Sequence, residues 1–271
     1  MKSKRKIFIC GILILFLMIY SMIFLNSNYN RDLIETGVGL ELSNTKIEWG
    51  IKRGVNGEQP DLGSKNRSLI EKYNGMAMGN KNSKNIYVTF DLGYEAGYTA
   101  KILDVLKENN VPAAFFITAH YVNTASDLVQ RMIDEGHIIG NHTVNHKSMP
   151  SISDTELEKE LMNLHTGIYE KFGYEMKYMR PPKGEYSERS LNTTVKLGYI
   201  PVMWSFAYAD WDEEKQPSQS DGINKIVNNV HNGEIMLLHA TSKTNMEILN
   251  TVIKQIKDMG YEFKSLDEFV G

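Results

Sequence analysis

Residues 85–118, NIYVTFDLGYEAGYTAKILDVLKENNVPAAFFIT, contain two short apolar runs separated by an amphipathic segment. The runs 85–91 and 113–118 are rich in β-branched and aromatic residues and are bounded by turn residues, which predicts strands. Residues 97–110 repeat apolar positions with helical periodicity, which predicts a helix. A strand, a helix and a second strand in this order are typical of parallel strands joined by a crossover helix.

The same alternation continues to the C-terminus and predicts an α/β fold with a parallel sheet and helices outside it. Six or so strand–helix units favour a barrel over an open sheet, so active residues belong at the carboxyl ends of strands. Ser153, with Glu156 three residues later, predicts a capping box. The further predicted strands span residues 137–141, 200–205 and 234–239. The further predicted helices span residues 125–135, 154–172, 187–197, 222–231 and 244–259.

The composition is that of a folded chain of 271 residues, with 42% hydrophobic and 23% charged residues. Its 30 basic and 33 acidic residues give a net charge of -3, so no nucleic-acid partner held by bulk charge is expected. The single cysteine, Cys10, lies in an apolar N-terminal run. The folded part therefore has no internal disulfide and no cysteine-based zinc site.

The N-terminus predicts export from the cytoplasm. Residues 7–25 are 19 consecutive uncharged, mostly apolar residues after a basic flank, long enough for a helix to cross a bilayer. We expect residues 1–26 to be a membrane anchor; a cleaved signal peptide and a buried core helix are the alternatives. Anchor and signal peptide alike place the domain outside the cytoplasm. Residues 27–83 are expected to form a stalk and N-terminal loops, with Trp49 docking on the domain at residues 84–271.

Polar residues with catalytic or metal-binding chemistry follow several predicted strands. Asp91 ends the first strand, and His142 and His146 follow the third with a spacing that suits two imidazoles on one metal ion. Arg180 stands in the proline-rigid stretch RPPKG, and His239 ends the apolar strand EIMLLH. Each signal alone also has a structural explanation. The aspartate is then a turn cap, the histidine spacing is accidental, the arginine stretch is a surface loop and the last histidine is a core residue. Their common position at strand ends favours one shared active site.

Four stretches, TFDLGYEAGYT, GNHTVNH, MRPPKG and LLHA, occur in the order and spacing of the polysaccharide deacetylase family, which is carbohydrate esterase family 4 or the NodB homology domain. The resemblance covers residues 84–271. Within the family, FDLGYEAGYTAKILDVLKENNVPAAFFITAHY, MKYMRPPKGEYSERSL and MWSFAYADW look most like the delta-lactam-biosynthetic deacetylases of spore-forming bacteria. Those enzymes act on N-acetylmuramic acid residues of spore-cortex peptidoglycan. The resemblance implies a distorted (β/α) barrel, hydrolysis of a linear amide and a peptidoglycan glycan strand as partner.

The resemblance also implies a role for each matching residue. Asp91 matches the general base, Arg180 the residue that orients and charge-stabilises it, and His239 the general acid that protonates the leaving amine. His142 and His146 match the two histidine ligands of zinc or a similar divalent ion. The remaining matches form the substrate and oxyanion pocket, namely the backbone at Pro182 and Lys183, Leu237 beside the acetyl methyl group, and Trp211 in the wall.

Two positions depart from the family pattern. The family usually has a second aspartate, a metal ligand, directly after the base, and this chain has Leu92 there. We therefore expect weaker metal binding, by the two histidines with water or the base. The aspartate that supports the acid histidine usually lies four residues before the motif tryptophan, where this chain has Ala207, while Asp210 directly precedes that tryptophan. The protonation of His239 is expected to depend on another group.

Three other functions stay open on the same fold. They are a non-catalytic glycan-binding relative, an N-acetylglucosamine or chitooligosaccharide deacetylase, and a hydrolase of small cyclic amides. The presence of Asp91, Arg180 and His239 argues against the first, and the expected membrane anchor argues against the third. Activity on chitin oligomers, with none on muramic acid residues, would favour the second.

Overall fold

The computed structural model describes residues 42–271. The expected membrane anchor, residues 1–26, lies outside these residues, as does the first part of the expected stalk. Within the described part of the chain, no helix combines the length and the apolar character needed to cross a membrane.

A parallel sheet carries the strand-end residues. In chain order the strands are β1 (Ile47–Glu48), β2 (Asn85–Leu92), β3 (Ala113–Ile117), β4 (Ile138–Asn141), β5 (Tyr178–Met179), β6 (Glu185–Tyr186), β7 (Ile200–Pro201), β8 (Glu234–His239) and β9 (Glu262–Phe263). The sheet runs β7-β5-β4-β3-β2-β8, and β9 pairs with β2. Asp91 on β2 lies opposite Phe116 on β3 and His239 on β8. The carboxyl ends of these strands therefore meet at one edge.

The sheet curls into a half barrel whose outer strands approach each other. The strand β7 ends at Pro201. The chain continues to Phe206, whose N–H donates to the Ile235 carbonyl at 3.2 Å and whose carbonyl accepts from the Leu237 N–H at 2.9 Å. The strand expected at residues 200–205 is therefore two residues long and is followed by a bridge to β8.

Helices pack on the outer face of the sheet. Ile86, Val88, Phe90 and Leu92 alternate along β2 and join the large apolar core beneath the helices. A smaller apolar core fills the inside of the curl. In chain order the helices are α1 (Ser64–Lys72), α2 (Thr99–Glu108), α3 (Ala119–Thr124), α4 (Ser126–Asp134), α5 (Asp154–Phe172), α6 (Glu188–Lys196), α7 (Gln219–Val227) and α8 (Lys243–Asp258).

One helix begins earlier than the sequence predicts, and one predicted cap forms only in part. The Ser218 side chain caps α7, so this helix begins at Gln219 rather than at residue 222. At α5 the Ser153 side chain accepts the Glu156 N–H at 3.2 Å, which is one half of the predicted capping box. The Glu156 carboxylate instead pairs with Lys147 Nζ at 2.6 Å. The reciprocal bond of the capping box is therefore replaced by an ion pair to the preceding loop.

Residues 43–83 belong to the same compact unit as the rest of the domain, where the sequence predicts a stalk and loops. They contain β1, which pairs antiparallel with β6, and the helix α1. Trp49 is buried, and its indole N–H donates to the Trp204 carbonyl at 2.9 Å. Trp49 and Ile70 share an apolar cluster with Tyr186. This segment therefore packs directly against the part of the domain that follows Arg180.

Candidate active site

A cavity of about 930 Å³ opens at the carboxyl ends of β2, β4 and β8. Its wall contains four of the strand-end residues from the sequence analysis, namely Asp91, His142, His146 and His239. The fifth, Arg180, is completely buried behind Asp91. The curl of the sheet thus brings together residues that are up to 148 positions apart, from Asp91 to His239.

Arg180 fixes one oxygen of Asp91. Its Nη1 donates to Asp91 Oδ1 at 2.8 Å, and its Nε and Nη2 donate to the carbonyl oxygens of Val202 and Met203 at 3.0 and 3.2 Å. The guanidinium carbon also lies 4.2 Å from the ring centroid of Phe116, a cation–π contact. These partners stabilise a guanidinium that has no access to water.

Asp91 is a carboxylate at neutral pH. Burial raises the pKa of this carboxyl group, but the charge and hydrogen bond of Arg180, together with the charge of His239, outweigh burial and bring the pKa below its ordinary value. The second oxygen, Oδ2, lies 3.6 Å from His142 Nε2. Asp91 therefore presents one fixed oxygen to Arg180 and the other to the histidine side of the cavity.

His142 and His146 direct their Nε2 atoms toward one point, and the two atoms are 3.1 Å apart. His142 Nδ1–H donates to the backbone carbonyl of Arg180 at 2.9 Å, which leaves Nε2 of the neutral ring without a proton. Burial lowers the pKa of both imidazoles, that of His146 to about 4. Both rings are therefore neutral near pH 7, and the neutral form of histidine is the one that binds a metal ion.

This donor set fits a divalent ion held by two imidazoles. The lone pair of His142 Nε2 faces His146 Nε2 at 3.1 Å, so this separation needs either a proton on His146 Nε2 or a cation between the two nitrogens. Two nitrogen ligands at about 2.0–2.1 Å from one zinc ion come to a similar separation. Across residues 42–271 there is no cluster of three or more His, Cys, Asp or Glu side chains arranged to hold a metal, and Leu92 packs in the apolar core. The protein donors are thus two histidines with Asp91 beside them.

His239 is supported by Asp210, which answers the question that Ala207 raises in the sequence. His239 Nδ1–H donates to Asp210 Oδ1 at 2.7 Å. The buried Asp210 also accepts at Oδ2 from the His239 backbone N–H at 2.9 Å and from Asn245 Nδ2 at 2.6 Å. Burial lowers the pKa of His239, but the hydrogen bond and charge of Asp210 outweigh it and bring the pKa above its ordinary 6.5. Asp210 therefore favours the protonated form of His239.

Of the four residues expected to form the pocket, three line the cavity and one lies behind its wall. Lys183, Leu237 and Trp211 line the cavity, and the Trp211 ring lies 5.9 Å from the ring of His239. Pro182 is buried and lies outside the wall, where it fixes the backbone that leads into Lys183. Lys183 has a φ of 59°, a left-handed conformation that a lysine adopts at an energetic cost. Backbone strain at a cavity wall indicates that function constrains the position of this residue.

Fold and site together define a class of enzyme. The family profile of polysaccharide deacetylases matches residues 78–202. The peptidoglycan-N-acetylmuramic acid deacetylase PdaA of Bacillus subtilis is 42% identical over 228 residues, which cover 84% of this chain and 87% of that protein. The chain therefore belongs to the polysaccharide deacetylase family, and it is a hydrolase of amide bonds.

Solved structures agree with this assignment. The structure of Bacillus subtilis PdaA, a family 4 carbohydrate esterase, is similar with a TM-score of 0.82 and 42% identity, over 84% of this chain and 98% of that chain. A family 4 carbohydrate esterase from Bacillus anthracis is similar with a TM-score of 0.72 and 43% identity, over 85% of this chain and 98% of that chain. A peptidoglycan-N-acetylglucosamine deacetylase of Bacillus cereus is 32% identical, over 73% of each chain.

Proposed function

We propose that this protein removes the acetyl group from N-acetylmuramic acid residues of peptidoglycan. The observation that carries the proposal is the arrangement of Asp91, the pair His142 and His146, and the Asp210-supported His239 around one cavity. The similarity to an N-acetylmuramic acid deacetylase, at 42% identity, exceeds that to an N-acetylglucosamine deacetylase, at 32%. The amine released at C2 lies beside the lactyl carboxyl group on C3, and loss of water between them forms the muramic delta-lactam of spore cortex.

Hydrolysis of an acetamide requires an activated water, a stabilised oxyanion and a proton for the leaving amine. A divalent ion such as zinc, held by His142 and His146, would act as a Lewis acid that polarises the acetamide carbonyl group. Asp91 accepts the proton of the attacking water at Oδ2, the oxygen that Arg180 leaves free. The backbone N–H of Lys183, in the cavity wall, donates to the oxyanion.

His239 completes the reaction as the general acid. Its proton passes to the leaving nitrogen as the C–N bond breaks, and the products are acetate and the free amine. Asp210 raises the pKa of His239, while Arg180 lowers the pKa of Asp91. The pKa values of the acid and the base are thereby moved apart, as a reaction at neutral pH requires.

The cavity wall also carries a charge suited to muramic acid. Lys183 is the one lysine or arginine among the described residues that line the cavity, and its charge reaches His146, whose pKa it helps to lower. N-acetylmuramic acid differs from N-acetylglucosamine by a lactyl ether on C3, and this ether ends in a carboxyl group. The C3 substituent lies next to the acetamido group on C2, so an ammonium group at the wall can bind it during catalysis.

Mass spectrometry of purified muropeptides, before and after incubation with the protein, tests this function. We expect the muramic acid residue to lose an acetyl group, and then water if the lactam closes. Lys183→Asn removes the charge but keeps the backbone, because asparagine tolerates the left-handed conformation. We expect it to lower kcat/KM on N-acetylmuramic acid residues about tenfold, and to leave N-acetylglucosamine residues unaffected.

Lys215→Asn is the matched control, because Lys215 is an exposed lysine on the loop that follows Trp211 and lies outside the cavity wall. Deacetylation of chitin oligomers, with none on muramic acid residues, would instead assign an N-acetylglucosamine deacetylase. A protein that removes no acetyl group from either sugar would be a glycan-binding relative.

The substrate lies outside the cytoplasmic membrane, which agrees with the export expected from the N-terminal sequence. We propose that residues 1–26 hold the domain on the outer face of the membrane, and the support for this is the charge-free run after a basic flank. Protease added to intact protoplasts should then digest the domain. Survival of the domain until the protoplasts are lysed would place it in the cytosol and refute this topology.

A further inference from the structure

The loop that carries the histidine pair, residues 142–146, has an unfavourable backbone. Thr143 has a φ of 67° and His146 a φ of 54°, although neither residue is glycine. A β-branched residue is strained in this conformation, which persists only where the surroundings impose it. Nearby contacts must therefore hold the loop.

Each backbone N–H of the loop has a partner. The partners come from strand β3, from the loop and its flanking residue, and from one residue of helix α5, Glu160. The bonds are His142 N–H to the Ile117 carbonyl at 3.0 Å, Thr143 N–H to Asn141 Oδ1 at 2.9 Å, Val144 N–H to the Glu160 carbonyl at 3.1 Å, Asn145 N–H to Glu160 Oε2 at 2.7 Å, and His146 N–H to Thr143 Oγ1 at 3.0 Å.

Glu160 holds the middle of the loop with both of its carboxylate oxygens. Oε2 accepts from the Asn145 backbone N–H and Oε1 from Asn145 Nδ2, each at 2.7 Å. The residue is 4% exposed, and Lys147 Nζ lies 3.8 Å from Oε1 as a distant countercharge. Both of these short bonds need an acceptor oxygen on residue 160. A carboxylate has two such oxygens, whereas the amide of glutamine accepts at only one of its two ends.

We propose that Glu160 is the positioning residue for the metal-binding histidines, a role that rests on the proposed metal site. Its carboxylate binds Asn145, which lies between the two histidines in the chain. This contact keeps Thr143 and His146 in their strained conformations, so that the two Nε2 atoms converge at 3.1 Å. Glu160 itself lies outside the cavity wall and acts only through the loop.

Zinc affinity of the full-length protein, measured by competition with a chromophoric chelator, tests the proposal. We expect Glu160→Gln to weaken zinc binding about 10- to 100-fold, the range found when an outer partner of a ligand is lost. Glu156→Gln is the matched control, since this glutamate lies one turn earlier on α5 and pairs with Lys147 but does not contact Asn145. Its zinc affinity should stay within about twofold of wild type.

Asn145→Ala guards against a variant that fails to fold, because it removes only the Oε1 bond and leaves Glu160 in place. We expect it to weaken zinc binding less than Glu160→Gln, and the double variant to lose less than the two single losses combined. Thermal unfolding of the metal-free proteins shows which variants are folded. Wild-type zinc affinity in a folded Glu160→Gln would overturn the positioning role alone. A wild-type protein that binds zinc no better than His142→Ala with His146→Ala would overturn the metal site as well.

Discussion

Replacement of Asp91 by asparagine is expected to lower kcat about 10²- to 10⁴-fold, the range for loss of a general base. Asparagine has nearly the same shape but cannot accept the proton of the attacking water. The wild-type carboxylate is ionised at neutral pH, because Arg180 and His239 lower its pKa despite burial. Turnover of muropeptides by the folded variant is the measurement.

The Asp91→Asn variant also tests stability, because it leaves Arg180 buried without a counter-ion. Breaking a buried ion pair from one side costs about 3–5 kcal/mol. Since the folded-state pKa of Asp91 is lowered, the stability it contributes is present above the unfolded-state pKa and is lost as the pH falls through the folded-state pKa. Activity must therefore be assayed well below the melting temperature, near neutral pH. Asp104→Asn, on the exposed face of α2, is the control. Wild-type turnover in folded Asp91→Asn would remove Asp91 from the mechanism.

Replacement of Asp210 by asparagine is expected to lower kcat about 10²- to 10⁴-fold at and above neutral pH. Asp210 holds the Nδ1 proton of His239 and raises its pKa against the effect of burial. A general acid works only while it is protonated, so activity falls as the pH rises through its pKa. Loss of the Asp210 charge lowers that pKa, and the alkaline limb of the pH–rate profile should move to lower pH.

The pH–rate profile separates this role from a structural one. Asp212→Asn is the control, because Asp212 caps the following 3₁₀ turn from an exposed position and does not contact His239. An Asp210→Asn variant with reduced kcat and an unmoved alkaline limb would show that Asp210 supports the loop but does not set the protonation of His239.

The strands that carry the proposed catalytic residues were predictable because they are long, apolar and bounded by turns. The predicted strands 85–91, 113–118 and 234–239 differ from β2, β3 and β8 by no more than one residue at either end. Two-residue strands such as β5 have no detectable period, and β7 stops at a proline. Their partners are distant in the chain, so tertiary pairing and not local propensity creates them.

The candidate site likewise contains some residues that the sequence reveals and others that it does not. Strand-end residues such as Asp91 and His239 give a signal because parallel strands place their ends at one edge. Asp210 lies on an irregular loop, and only its position before Trp211 drew attention to it. Glu160 lies inside an ordinary polar stretch of α5, so nothing in the sequence separates it from its solvent-exposed neighbours. Residues that act through a contact with another loop become visible only once the fold is known.

The contacts of Arg180 have an evolutionary consequence. One guanidinium binds the proposed base Asp91 and the carbonyl groups that follow β7, while the backbone carbonyl of the same residue accepts a hydrogen bond from His142 Nδ1–H. A substitution of Arg180 would remove the fixed partner of Asp91 and the bonds to the carbonyl groups after β7 in one step, but would leave His142 bonded to a backbone carbonyl that any residue supplies. Lineages that drift at this position are therefore expected to lose the fixed orientation of the Asp91 carboxylate while they keep the orientation of the His142 ring.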